Sequence, residues 1–264
     1  MIDDSAISRP LNVGSETKAL LRLAVPVIGS RIGMLTMSLI DTIMLGRFAT
    51  AELAYQSIAI AITVPLFVTT IGLCLGTLVE TARAKGAGDD AGCGAAWRRG
   101  TVYAAGLGLV CLGLALAGEW VLQLSGQSAE LSEHGGQVVR ILALGLPFMI
   151  VYVTCSYFLE ALKRPAMPMI MMATGNLLNI FLNWMWIYGN LGFGALGAIG
   201  SAWATTSVRA VLAAAIIVYI WNLADHERFI WTSESSGFSH YQLRHLNGDL
   251  IHNLSSGEFQ ASGI

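Results

Sequence analysis

Long uncharged stretches alternate along the chain with short polar segments. Asp, Glu, Lys and Arg are absent from residues 53–79, 100–118, 141–159 and 165–208. Because a helix rises 1.5 Å per residue, about 20 apolar residues cross a hydrocarbon core of about 30 Å. Each of the first three stretches therefore has the length of one membrane-spanning helix, and the pattern predicts an all-α membrane protein.

The fourth uncharged stretch is too long for one span. As a single helix, residues 165–208 would extend roughly 66 Å, about twice the thickness of the hydrocarbon core. Glycine and asparagine interrupt the apolar pattern within residues 189–194, directly after an aromatic cluster at 184–188 that is typical of a membrane interface. We therefore predict two helices here and six in total. The six predicted spans are residues 20–45, 53–79, 100–122, 136–162, 166–188 and 194–221.

The composition supports a membrane protein and excludes several other classes. Hydrophobic residues make up 55% and charged residues 12% of the 264 residues, against roughly 25% charged residues in soluble domains. A net charge of −2 gives no basic face for nucleic acid. Lys and Arg concentrate beside the termini and in two loops, which predicts that both termini of this multi-pass membrane protein are cytoplasmic.

The chain divides into three predicted segments. Residues 1–19 form a cytoplasmic N-terminus, residues 20–222 form the six-helix transmembrane lobe, and residues 223–264 form a polar cytoplasmic tail that we expect to be disordered. Three histidines in the tail have a spacing that fits no common metal-ligand motif: His240, His245 and His252. We therefore expect no metal site and no cofactor.

An aspartate lies inside the first predicted span. Asp41 is six residues from Arg47, which places it roughly 9 Å inside the membrane boundary. An ionisable residue near the centre of a span costs on the order of 3 kcal/mol, and the short aspartate side chain cannot reach the interface as Lys or Arg can. We therefore predict a functional role for Asp41 and a structural role for the mid-span residues Arg31 and Arg209.

Three asparagines share one face of the fifth predicted span because they are three and four residues apart: Asn176, Asn179 and Asn183. Such residues often form hydrogen bonds between packed spans. However, the helical rise predicts that Asn183 lies at the same membrane depth as Asp41. Asn179 and Thr205 are likewise predicted at one common depth. Ser201 is predicted about 10 Å inside the membrane boundary. We predict a polar cavity between spans one, five and six, in which Asn176 and Ser201 line the substrate side.

Several segments together resemble the multidrug and toxic compound extrusion (MATE) family of cation-coupled exporters. Their order and spacing carry the resemblance, which covers about residues 18–222. The segments are AVPVIGSRIGMLTMSLIDTIMLGR at 24–47, ARAKGAGDD at 82–90, FLEALKRPAMPMI at 158–170, GNLLNIFLNWMWIYG at 175–189 and GALGAIGSAWAT at 194–205.

The resemblance implies one six-helix lobe with an ion-coupling site centred on Asp41. It places Asn179 and Asn183 beside this aspartate and matches Thr205 to a small hydroxyl residue of the sixth helix. Many relatives have an aspartate in place of Asn183, so a proton on Asp41 is a simpler coupling ion here than Na⁺. The implied activity is secondary active antiport that exports drugs or other amphipathic or cationic organic compounds through the lipid membrane.

Several alternatives remain open on the sequence alone. The resembled family has two six-helix lobes, so the chain is expected to be a truncated product, which we favour, or half of a homodimer; a half-transporter without function is a further possibility. A flippase for lipid-linked glycans shares the lobe architecture, and Arg31 is the one feature that points to it. An intramembrane enzyme is disfavoured because the predicted spans contain no histidine and no common catalytic motif.

Overall fold

In a computed structural model of the protein, residues 13–223 are described, and every regular element among them is helical. The helices are α1 (Val13–Phe48), α2 (Thr50–Gly86), α3 (Asp90–Leu116), α4 (Gly118–Leu124), α5 (Ala129–Leu144), α6 (Leu146–Ala161), α7 (Ala166–Trp186) and α8 (Gly197–Trp221), with a short 3₁₀ turn at Asn190–Gly192 before α8. The predicted disordered tail and its histidines lie outside the described residues.

The helices form the predicted six-helix lobe. Five helical stretches are long and apolar enough to cross a membrane: Leu20–Phe48, Thr50–Gly86, Asp90–Leu124, Ala129–Ala161 and Gly197–Trp221. The remaining one, α7, has 21 residues, the length of a span, but its three asparagines lower its hydropathy. The all-α fold class is confirmed, with α3 and α4 together forming the third span and α5 and α6 the fourth.

The fourth span differs from its prediction as one helix over residues 136–162. It begins earlier, at Ala129, where Ser128 caps the helix by accepting a hydrogen bond from the Leu131 N–H at 3.3 Å. It is also divided at Gly145 into α5 and α6. Pro147, which lacks the N–H needed to continue the hydrogen-bond ladder, lies two residues after this break.

The third span also begins earlier than predicted. Its helix starts at Asp90 rather than at residue 100, because the Asp89 carboxylate accepts a hydrogen bond from the Gly92 N–H at 2.8 Å and caps the helix. The boundary was predicted at the first residue of the uncharged stretch, whereas the helix also includes the charged residues before it, which lie at the membrane surface. The sixth span differs in the opposite direction, because α8 begins at Gly197, three residues later than predicted.

Two helix connections meet at one end of the lobe. A single residue, Ala49, joins α1 to α2, and we call this the Ala49 end. The turn between α7 and α8 lies at the same end, because the Tyr188 hydroxyl donates to the Met44 carbonyl of α1 at 2.9 Å. Both α1 and α2 remain helical through the prolines Pro26 and Pro65.

Small residues allow α7 to approach its neighbours closely. A Cβ at Gly33 of α1 would lie 2.5 Å from Cγ of Met172, so only glycine fits beside α7 at this position. A Cβ at Gly200 of α8 would lie 2.7 Å from the Trp186 carbonyl oxygen. The Trp186 carbonyl also accepts a hydrogen bond from the Leu196 N–H at 3.0 Å, so this backbone has little room to move away.

We expect Gly200→Ala to destabilise the lobe by about 1–3 kcal/mol, because the added methyl group overlaps backbone rather than a flexible side chain. The matched control is Gly106→Ala in α3, where a Cβ meets nothing within 4 Å. The control should be neutral or slightly stabilising, since alanine is the better helix former. Thermal unfolding of both purified variants in detergent checks this, and equal midpoints would contradict it.

Candidate functional site

The carboxylate of Asp41 is buried in α1 about 10 Å from the Ala49 end, seven residues before Phe48. Only 3% of the residue is exposed. Each carboxylate oxygen accepts one hydrogen bond: Oδ1 from Asn183 Nδ2 of α7 at 2.6 Å, and Oδ2 from the Thr205 hydroxyl of α8 at 2.7 Å. The aspartate therefore connects three helices.

The same side chains also bond to one another. Asn183 Nδ2 donates a second hydrogen bond to Asn179 Oδ1 at 3.1 Å, and Asn179 Nδ2 donates to the Thr205 hydroxyl oxygen at 3.4 Å. These bonds close a ring, which we call the Asp41 cluster: Asp41, Asn179, Asn183 and Thr205. The ring forms because residues four apart share a helix face, which brings both asparagines of α7 toward α1 and α8.

The Asp41 cluster carries one carboxylate among neutral partners. Within residues 13–223, no salt bridge joins Asp41 to a basic side chain. Arg209 lies one turn beyond Thr205 on α8, and its Nη1 donates to the Leu142 carbonyl of α5 at 3.4 Å. The remaining cluster oxygens come from amides and a hydroxyl, so the arrangement offers hard oxygen ligands to a proton or a small cation.

Two further predicted residues lie outside the ring. Asn176 Nδ2 donates to the Gly33 carbonyl of α1 at 3.0 Å and to the Met172 carbonyl of its own helix at 2.9 Å, so it links α1 to α7. Ser201 is fully buried, one turn before Thr205 on α8. Their predicted role in lining a substrate cavity stays a prediction.

Two residues of α2 near the cluster are absent from the sequence predictions. The Glu52 carboxylate accepts a hydrogen bond from the Ala198 N–H at 2.7 Å and so caps α8 from a neighbouring helix. Gln56, one turn further along α2, is only 2% exposed. A polar side chain four residues after Glu52 in an otherwise apolar span was the available signal.

An ion pair lies at the opposite end of the lobe. Arg31 Nη2 of α1 contacts Glu160 Oε1 of α6 at 3.1 Å, and the Arg31 guanidinium carbon lies 5.0 Å from the centre of the Tyr157 ring. This fits the predicted structural role of Arg31. Glu160 and Tyr157 therefore engage the charge of Arg31.

Comparison with known proteins identifies relatives of the whole lobe. The MatE family model matches residues 26–185. Over 76% of its length, the chain is 40% identical to a protein of Caulobacter vibrioides named "Probable multidrug resistance protein NorM" and 32% identical to "Multidrug resistance protein PmpM" of Pseudomonas aeruginosa. The crystal structure of the eukaryotic MATE transporter AtDTX14 superposes on 81% of the chain with a TM-score of 0.74 at 20% identity.

The matches cover only part of each relative. The chain spans 43% of the Caulobacter protein, 43% of the Pseudomonas protein and 47% of the AtDTX14 chain. It therefore spans less than half the length of each of these relatives.

We expect Thr205→Val to destabilise the lobe by about 1–3 kcal/mol, because it leaves one oxygen of a buried carboxylate without its donor. The same substitution should have a smaller effect in an Asp41→Asn background, giving a coupling energy of at least about 1 kcal/mol in a double-mutant cycle. Unfolding in detergent measures all four proteins.

The matched control for this cycle is Thr63→Val. Thr63 is also buried, but its hydroxyl donates to the Ala59 carbonyl of its own helix at 2.9 Å. Its coupling to Asp41→Asn should be below about 0.5 kcal/mol. Equal coupling of Thr63 and Thr205 to Asp41 would contradict the ring as a cooperative unit.

Proposed function

The chain belongs to the MatE family, and we propose on that premise that its lobe works in a secondary active transporter that exports small organic compounds in exchange for a cation. The printed names of the two bacterial relatives, both multidrug resistance proteins, support drug-like compounds as the exported class. Membership in a family of transporters also supports transport over catalysis. The carrying observation is the buried Asp41 carboxylate with neutral partners.

The coupling ion in this proposal is a proton that binds Asp41. A carboxylate held out of water by neutral hydrogen-bond partners is costly, and the charge of Arg209 on α8, which forms no salt bridge with Asp41, offsets only part of that cost. A bound proton or monovalent cation removes the charge of the carboxylate. Na⁺ is the alternative ion. The Asp41 cluster contains a single carboxylate, because position 183 is an asparagine, so one proton is sufficient to neutralise it.

In the proposed orientation, the Ala49 end faces the outside and both termini face the cytoplasm. The basic residues of the α2–α3 connection, Arg83 and Lys85, lie at the other end of α2, as expected for a cytoplasmic loop. Each proton that moves inward then supplies about 2.3 kcal/mol per 100 mV of membrane potential. Release of the proton to the inside requires α1 to move, and bending near Pro26 is the proposed means.

We propose a second lobe as the partner of this one. The curated relatives are more than twice as long as the matched part of this chain. The second lobe would belong to a longer chain or to another copy of this lobe, and the transported compound would bind between the two. Apolar residues of α1 such as Leu35 and Leu39 are exposed, and they would contact that lobe or membrane lipid.

With two copies of this chain supplying both lobes, we expect cells of an efflux-deficient bacterium that express it to accumulate less ethidium than cells with an empty vector. A proton uncoupler should reverse the difference, whereas collapse of the Na⁺ gradient alone should not. Asp41→Asn should raise accumulation to the vector level, because it removes the only titratable group of the Asp41 cluster. Fluorescence of the cells measures accumulation.

The matched control is Glu80→Gln, which neutralises an exposed carboxylate paired with Arg99 on α3 and should leave efflux unchanged. Membrane content of each variant is checked by immunoblot. Retained efflux in Asp41→Asn at equal membrane content would sink the coupling role of Asp41. Accumulation at the vector level in the unsubstituted chain would contradict export by this chain alone.

A further inference from the structure

Several buried side-chain oxygens have no hydrogen-bond partner among the described residues, and three of them lie in the Asp41 cluster or between it and the Ala49 end: Gln56 Oε1, Asn183 Oδ1 and Ser201 Oγ. The exposure of these residues is 2%, 0% and 0%. An unsatisfied buried polar atom costs about 1–3 kcal/mol, and buried polar atoms in folded proteins are normally satisfied by protein groups or ordered water. These three oxygens therefore indicate bound water or an ion.

The contact between Glu52 and Ala198 fixes the register of α2 against α8. Gln56 lies four residues after Glu52, and Ser201 lies three residues after Ala198. Each is thus about one helical turn further from the Ala49 end, roughly 5–6 Å, on the same helix face as the contact residue. Gln56 and Ser201 therefore occupy neighbouring levels of the two facing helices.

Neighbouring contacts of α2 show which way Gln56 faces. Leu53 packs on Gly46 of α1, and the Tyr55 ring stacks on His134 of α5 at 4.9 Å. At 100° per residue, position 56 lies between these two directions, on the buried face that also carries Glu52. Gln56 is therefore on the side of α2 that faces the lobe interior.

The same ladder continues to the Asp41 cluster. Four residues after Ser201 on α8, the Thr205 hydroxyl donates to Asp41 Oδ2 at 2.7 Å. Three polar levels thus follow one another along α8 from the Ala49 end: Ala198 with the Glu52 carboxylate, Ser201 with its unpartnered oxygen, and Thr205 with Asp41. On α2, Gln56 is seven residues from Ala49 and lies between the level of Ser201 and that of Asp41, which is eight residues from Ala49 on α1.

We propose that Gln56 and Ser201 form a hydrated access step through which a small monovalent cation passes between Glu52 and Asp41. The Glu52 charge concentrates cations at the Ala49 end. The amide and hydroxyl oxygens of the access step hold the water along which a proton reaches Asp41, and for Na⁺ they would replace part of its hydration shell. This inference rests on the proposed function, because it supplies the path by which Asp41 exchanges its ion.

Silver ion tests the access step directly, because Ag⁺ is a small monovalent cation that binds thiolates. Cysteine is introduced at two positions of the step, Ser201→Cys and Gln56→Cys, in a chain whose four native cysteines are replaced by alanine. Buried apolar neighbours on the same helices provide matched controls, Ala202→Cys and Ala59→Cys, since both alanines are fully buried. Silver bound per chain is followed over time in bilayer nanodiscs by elemental analysis.

We expect silver to bind the cysteines at positions 201 and 56 at least about tenfold faster than those at 202 and 59. Glu52→Gln should slow binding at 201, because it removes the charge while it keeps an oxygen for the Ala198 N–H. Helicity and gel filtration confirm that each variant is folded. The same comparison is then made in chains that keep the four native cysteines. There the silver bound by the unsubstituted chain is subtracted, so that the result does not depend on removing the native cysteines.

Equal rates at the step and control positions would overturn the access step. An unchanged rate in Glu52→Gln would contradict passage beside Glu52. Silver binding does not require transport, so its outcome is separate from ethidium export. Fast binding at 201 and 56 without export would preserve the path and contradict export by this chain alone. Export with equal silver rates would preserve the proposed function and overturn the path.

Discussion

The structure depends on keeping one carboxylate inside an apolar helical lobe. Asp41 can remain there because two donors from different helices, Asn183 and Thr205, bond its two oxygens at 2.6 and 2.7 Å. Neither donor belongs to α1, so the buried charge is stabilised only while α7 and α8 are in place beside it. The buried Asp41 carboxylate is therefore stable only while the three helices pack together. A change in the charge of Asp41 in turn affects that packing.

Bonds this short require the helix backbones to approach closely, and glycines make that approach possible. The glycine at position 33 lets α1 lie against Met172 of α7, and the glycine at position 200 lets α8 lie against the backbone of Trp186. In a bilayer, where lipid competes equally for apolar surface, such contacts and interhelical hydrogen bonds supply the association energy. Packing and polar chemistry therefore depend on the same small residues.

Helical periodicity and membrane depth predict that the members of the Asp41 cluster share one polar region, and the family resemblance is what separates them from Asn176 and Ser201 in that region. The helical rise places Asp41 and Asn183 at a similar level, and a spacing of four brings Asn179 to the same face as Asn183. The direction in which each side chain points is harder to predict. Asn176 lies on the same helix face, but it donates a hydrogen bond to the Gly33 carbonyl. Its buried amide group bonds to the backbone that it faces and not to the Asp41 cluster.

Other features depend on contacts that the local sequence does not encode. The partner of Arg31 is Glu160, 129 positions away, and only the tertiary fold brings the two together. The break at Gly145 could not be inferred from Pro147 alone, since prolines at other positions, such as Pro65 in α2, leave the helix continuous. Gln56 was missed because the spans were drawn from stretches without charged residues, and an uncharged amide does not end such a stretch.

The two anchors of α1 differ in strength, which explains how the state of Asp41 can act on this helix. The ion pair of Arg31 is partly exposed, with 31% of the arginine side chain accessible, and such pairs contribute about 0–1 kcal/mol. Separating a charged Asp41 from its donors would leave a buried carboxylate without hydrogen bonds, and an unsatisfied buried polar group costs about 1–3 kcal/mol, or more when it is charged. With Asp41 charged, α1 is therefore held mainly near the Ala49 end. Neutralising Asp41 weakens that anchor, so in the proposed mechanism an ion that binds Asp41 loosens the Ala49 end of α1 relative to the Arg31 contact.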